Sequence, residues 1–110
     1  MRKVIRNGKV AVIYSPEYGG GFYTWNSSVK GIEELIYLPE LVELIEQGEL
    51  TEHTVKHVID KYSSLNSDEL FHIEDSFAIA WLSEGTLFTI KEYDGSESIS
   101  VKDNIEWLQA

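Results

Sequence analysis

The chain of 110 residues contains no cysteine. That excludes disulfides, thiolate nucleophiles and cysteine-ligated zinc. It has two prolines, Pro16 and Pro39, and three histidines. No apolar run approaches the about 20 residues that a membrane-crossing helix needs, so no membrane association is expected. The basic start, Met1 to Arg6, is not followed by the apolar segment of a secretory signal, because Asn7-Gly8-Lys9 interrupts it. A cytoplasmic location is expected. Basic residues are also scarce: nine Lys and Arg stand against nineteen Asp and Glu, for a net charge of −10. Four of the nine fall at Arg2, Lys3, Arg6 and Lys9, which leaves five basic and all nineteen acidic residues beyond. This balance argues against direct nucleic-acid binding through a general electrostatic footprint. It permits docking on a basic protein surface.

What remains is enough for one domain, residues 1–110, with a modest core. Asn7-Gly8 is a strong hairpin signal, because both central positions of a type I′ turn need φ > 0. The turn pairs Ile5 with Val10 and Val4 with Ala11. Arg6 and Lys9 then face each other, an unfavourable like-charge pair. A carboxylate of the chain or an anionic ligand could meet them.

Three helices follow. Ser28 can cap a helix through about residue 38, with Val29, Ile32, Leu35 and Ile36 on one face. Pro39 suits the first turn of a second helix and Gly48 its C-terminal cap. On that helix Glu40, Glu43 and Glu46 form an acidic ridge, read either as a solvated face or as a docking surface that mimics a phosphate backbone. Thr51 caps a third helix over about 52–63, with Val55, Val58, Ile59 and Tyr62 toward the core. His53 and His57 share its outer face, but no third ligand stands at a fixed spacing, so no metal site is expected. Residues 63–76 read as a polar loop. His72, Glu74 and Asp75 at its end are a weak acid–base signal.

The C-terminal part reads as a three-stranded meander with turns at Glu84-Gly85 and Asp94-Gly95. That register aligns Trp81, Phe88 and Val101 in one row and Ile79, Ile90 and Ile99 in the next. It also sets Glu92 opposite Glu97, where two carboxylates could hold a cation or ligand hydroxyls, or pair with Arg2, Arg6 or Lys9. Asp103 and Glu106 have the spacing of a capping box, although Ile105 and Trp107 alternate as in a strand. The expected fold class is α+β: a mostly antiparallel sheet, built from the N-terminal hairpin and the C-terminal meander, with two to three helices on one face.

The stretch that stands out follows the apolar run Val10 to Tyr14. It holds Tyr18, Gly19, Gly20, Gly21, Phe22, Tyr23, Thr24, Trp25 and Asn26. A strand, a glycine-rich turn and a helix start can present backbone N–H groups to an anion. The aromatics offer faces for a flat ring. The spacing matches neither a P-loop nor G-x-G-x-x-G. In the structural alternative, the aromatics fill the core and the glycines make a turn. In the functional one, a small nucleotide-like ligand is held by this loop, by Arg6, and by Glu92, Tyr93, Asp94 and Glu97 of the last hairpin. No Ser/His/Asp arrangement has an interpretable spacing, so the chain is read as a binding module without enzymatic activity and without a cofactor. A homo-oligomer is expected, since small binding domains often build their pocket at a subunit interface.

Ile13-Tyr-Ser-Pro16 with Gly19 to Asn26, and Glu84 to Phe88 with Ile90 to Glu97, resemble a group of small bacteriophage proteins without an established activity. Those proteins carry a Gly-x-Gly-aromatic-x-Thr-Trp-Asn loop and a Glu-Tyr-Asp-Gly-x-Glu hairpin. Gly20 stands where alanine is frequent in that pattern, and Leu38 stands where an aspartate cap is expected. The resemblance implies a phage origin. With it come two expectations: sequestration of a nucleotide-derived immune signal of the host, or inhibition of a host protein by an acidic surface or DNA mimic.

Overall fold

Asn7 and Gly8 adopt φ 52° and 75°, the left-handed pair that a tight hairpin requires. They join β1 (Ile5–Arg6) to β2 (Lys9–Tyr14), with Ile5 opposite Val10 and Arg6 opposite Lys9. The Ala11 N–H reaches the Val4 carbonyl at 2.9 Å, so the pairing continues one step past β1. The computed structural model describes residues 2–27, 31–62 and 76–102. Ser28, Val29, the 63–75 segment with His72, Glu74 and Asp75, and the Asp103–Glu106 box lie outside these residues.

β2 is the middle strand of its sheet. Ala11, Val12 and Ile13 are all buried, so both faces of β2 are covered. A buried strand needs partners for the polar groups on both edges. One edge is met by β1 and then by Ile36, whose carbonyl accepts the Ile13 N–H at 2.8 Å. The other edge is met by β3 (Ala78–Ser83), antiparallel from Lys9↔Ser83 to Tyr14↔Ala78. The expected meander is thereby corrected: β3 pairs with β2 and not with β4, and Trp81 lies opposite Ala11 and not Phe88. The Glu84-Gly85 turn itself is present, with Gly85 at φ 82° and the Thr86 N–H on the Ser83 carbonyl at 3.0 Å. The Glu84 N–H also donates to the Gly8 carbonyl at 3.0 Å, which ties this turn to the tip of the first hairpin.

β4 (Phe88–Tyr93) and β5 (Ser96–Val101) form a separate two-stranded sheet. Asp94 and Gly95 at φ 48° and 83° make its turn, and the register is Phe88↔Val101, Ile90↔Ile99 and Glu92↔Glu97, as the turn dictates. The chain is therefore α+β with antiparallel sheets. α1 (Ile32–Leu35) is one turn, preceded by Gly31 at φ 90°. α2 (Pro39–Gln47) starts on its proline and ends on Gly48 at φ 70°. α3 (Glu52–Tyr62) is opened by Thr51 and Thr54. The Thr54 N–H donates to Thr51 Oγ1 at 3.1 Å, and the Thr51 N–H to Thr54 Oγ1 at 2.8 Å. This is a reciprocal cap made by two hydroxyls. Ile32, Leu35, Leu41, Val42, Val55 and Ile59 meet Ala11 to Ile13 in the core. No helix among the described residues is long and apolar enough to cross a membrane.

The like-charge pair of Arg6 and Lys9 is relieved from within the chain. The Arg6 guanidinium donates two hydrogen bonds to the Glu46 carboxylate, at 2.6 and 2.8 Å, and lies 5.2 Å over the Trp81 ring. Those bonds hold the Glu46 carboxyl below its ordinary range and push Arg6 up. A depressed carboxylate contributes stability above its unfolded pKa, and that contribution disappears as pH falls through the folded pKa. In Arg6→Gln, the Glu46 carboxyl carbon should therefore titrate by NMR at a higher pH than in the parent chain. Equal midpoints would show that the pair does not persist in solution.

Candidate functional site

The residues from Ser15 to Asn26 lie against the β4–β5 turn, and their backbones bond to it directly. The Gly19 N–H donates to the Asp94 carbonyl and the Gly21 N–H to the Gly95 carbonyl, each at 2.6 Å. The Gly20 N–H closes a local turn on Glu17 at 3.0 Å. From the other side, the Glu97 N–H donates to the Ser15 carbonyl at 2.7 Å and the Ser96 hydroxyl to the Pro16 carbonyl at 2.6 Å.

Glu97 anchors this junction. It is 2% exposed. One carboxylate oxygen accepts the Ser15 N–H at 2.9 Å, and the other accepts the Thr24 N–H at 2.8 Å and the Thr24 hydroxyl at 2.9 Å. Both oxygens of the buried side chain thus have hydrogen-bond donors. Glu92, opposite Glu97, is exposed and turns its carboxylate onto the Gly95 N–H at 2.8 Å. The like-charge pair of the register is thus separated: one carboxylate goes inward to the loop, the other outward to the turn.

The aromatics divide in the same way. Phe22 is fully buried and meets Phe77 edge-on, with ring centroids 4.9 Å apart. Trp25 is half-buried and lies where a Cβ on Gly21 or Gly95 would be, 2.2 and 2.7 Å from the nearest ring atom. A Cβ on Gly20 would lie 2.1 Å from the buried Ser15 hydroxyl. Asn26 is buried, and its side-chain amide donates to the Phe22 carbonyl at 2.7 Å. Tyr18 and Tyr93 remain outside. They are 75% and 72% exposed and touch edge to face, with centroids 6.4 Å apart and planes at 75°.

No known protein family, curated protein or solved structure matches this chain. Its chemistry therefore has to be read from the junction itself.

The structure brings together the loop residues Tyr18 to Asn26 and the hairpin residues Glu92 to Glu97. They meet in a packed joint, and the glycine N–H groups proposed to hold an anion are bonded to the chain's own carbonyls. Glu97 offers its oxygens to the loop and not to the surface. Arg6 is not joined to this cluster; it is committed to Glu46. Tyr23 lines a separate cavity of about 440 Å³ with Glu33, Tyr37, Phe88 and Ile90. There burial, then the charges of Glu33 and Tyr23, push the Tyr37 hydroxyl up. The acidic ridge is partly neutralised from within: Glu46 meets Arg6 at 2.6 Å, Glu40 meets Lys61 at 3.7 Å, and Glu43 accepts a bond from Gln47 at 3.2 Å. His53 and His57 are exposed on α3. Among the described residues, no three His, Asp or Glu side chains converge as metal ligands. Sequence reasoning sets Ser15 at the head of the loop stretch and Gly95 in the hairpin turn but counts neither among the site residues. Their signal was weak: one serine after a strand, one glycine in a turn.

Proposed function

We propose that this chain is a binding protein that docks on a basic partner protein through Tyr18 and Tyr93. The exposed, mutually supported pair of tyrosines carries the proposal. Large aromatics left in water at one place are the commonest anchors of protein interfaces. These two stand on a base already fixed by the Glu97 bonds and the loop–hairpin bonds, so less order has to be gained on binding. Their chain neighbours Glu17 and Asp94 are exposed carboxylates. Tyrosine faces and carboxylates together suit lysine and arginine side chains, and the net charge of −10 would speed the approach of a basic surface. The same carboxylates would repel a phosphate, which disfavours a nucleotide at this spot. The resemblance to phage proteins supports a protein of a bacterial host as the partner.

The test is affinity capture from bacterial extract, with quantitative mass spectrometry, by the parent chain and two variants. A partner bound through the tyrosines should fall at least about 30-fold with Tyr18→Ala plus Tyr93→Ala, the loss expected for a hot spot of about 2 kcal/mol. The thermal midpoint of that variant should hold, because both rings are exposed. Charge reversal of Glu40, Glu43 and Glu46 should leave capture intact. A partner kept by the tyrosine variant and lost by the ridge variant would reverse the proposal.

A further inference from the structure

We infer that the cavity beside Trp81 is a binding site for a small planar anion. The cavity, about 600 Å³, is lined by Lys9, Trp81, Ser83, Thr86, Leu87 and Lys102 among others. Its size falls within the roughly 300–1,000 Å³ of small-molecule sites. It is separate from the Tyr18–Tyr93 surface, and the inference does not depend on that one.

The distribution of charge is the first argument. With nineteen acidic residues against nine basic ones, most cations should find a carboxylate. Arg6, Lys56 and Lys61 do so, and Lys3 lies over the Tyr37 ring. Arg2, Lys9, Lys91 and Lys102 form no ion pair among the described residues, and of these Lys9 and Lys102 line this one cavity together. Arg6, 5.2 Å over the Trp81 ring, adds a third cation nearby, its charge countered by Glu46. Carboxylates elsewhere on the surface are screened beyond a Debye length of about 8–10 Å. Glu84 is an exposed carboxylate next in the chain to the lining residues Ser83 and Gly85, and the two ammonium groups are the charged side chains of the lining itself.

The second argument is that the walls are fixed. Lys9 lies opposite Ser83 in the sheet. Its neighbour Gly8 accepts the Glu84 N–H at 3.0 Å, and the Lys102 N–H is bonded to the Leu87 carbonyl at 2.7 Å. Both lysine backbones are thus tied to the β3–β4 connection that forms the cavity wall. The lining includes the Trp81 indole, apolar Leu82 and Leu87, Ser83 and Thr86. An aromatic ring could stack on Trp81 while its phosphate or carboxylate meets the two lysines.

The experiment follows the three tryptophan indole N–H signals by NMR in the full chain, with the Trp81 signal assigned by Trp81→Phe. Adenosine monophosphate is the probe, with adenosine and inorganic phosphate as separate arms. The monophosphate should move the Trp81 signal saturably, and each fragment alone should bind at least about tenfold more weakly. Lys9→Gln and Lys102→Gln should each weaken the monophosphate about tenfold, a loss of ~1.4 kcal/mol, and Lys91→Gln should not. An unmoved Trp81 signal at millimolar monophosphate overturns the site. So does unchanged affinity in both lysine variants. Phosphate binding as tightly as the monophosphate overturns the planar part of the inference.

Discussion

Glu97→Gln is expected to destabilise the chain by about 3 kcal/mol, although it removes no atom of volume. The Glu97 carboxylate is an acceptor at both oxygens, toward the Ser15 N–H on one side and the Thr24 N–H and hydroxyl on the other. A glutamine offers one oxygen and one NH2. Whichever way it turns, the buried N–H of Ser15 or the partly buried N–H of Thr24 faces the NH2, another donor. Each unsatisfied buried donor costs about 1–3 kcal/mol, and the bonds to a charged acceptor are the stronger kind. In a domain of this length, a loss of about 3 kcal/mol lowers the thermal midpoint by roughly 10 °C. The amide hydrogens of Ser15 and Thr24 should exchange faster than those of β2. Glu92→Gln is the control: that side chain is exposed and holds one turn N–H, so the cost should stay under about 1 kcal/mol. If thermal melts place the two variants together, Glu97 is not the anchor of the loop.

The part of this architecture that is legible in the sequence is local. Asn7-Gly8 and Asp94-Gly95 declare their turns, because two consecutive left-handed residues are costly for other side chains, and each turn then dictates the register of its strands. Pro39 and Gly48 bound α2, and Thr51 opens α3, for equally local reasons. The partner of β3 is not local information. Ile79 and Trp81 alternate in a way that suits Ile90 and Phe88 as well as Ile13 and Ala11, and periodicity assigns faces without choosing neighbours. What settles the choice is the second edge of β2, a buried strand whose first partner, β1, is two residues long.

The same limit applies to the site. The sequence pattern puts the glycine loop beside the last hairpin and offers the glycine N–H groups as donors for an anion. They are donors, but their acceptors are carbonyls of Asp94, Gly95 and Glu17. Opposed Glu92 and Glu97 suggested a shared ligand. Register shows that two carboxylates are neighbours and cannot show where each one points. The exposed pair of Tyr18 and Tyr93 is what remains once the joint has used its own polar groups.

Gly21→Ala should cost about 2–3 kcal/mol, and the reason is a single ring. A Cβ at this position would lie 2.2, 2.4 and 2.5 Å from three atoms of the Trp25 indole. These atoms belong to the ring fusion and its attachment, not to a flexible tip, so the whole indole must move. Gly21 does not have the positive φ that Gly19 shows at 77°, so alanine brings no backbone strain there and the cost is overpacking alone. Retreat of the ring is opposed by the hairpin, since the indole also lies where a Cβ of Gly95 would be. Gly19→Ala separates the two effects: nothing lies within 4 Å of its Cβ, and its cost should be the left-handed strain of about 1 kcal/mol. A double-mutant cycle with Trp25→Val gives the decisive number. Without the indole, Gly21→Ala should cost less than about 1 kcal/mol, a coupling of about 1 kcal/mol or more. Denaturant melts of the four chains measure it. An equal cost with and without Trp25 would mean that the glycine is not there to admit the ring, and the joint between loop and hairpin would need another explanation.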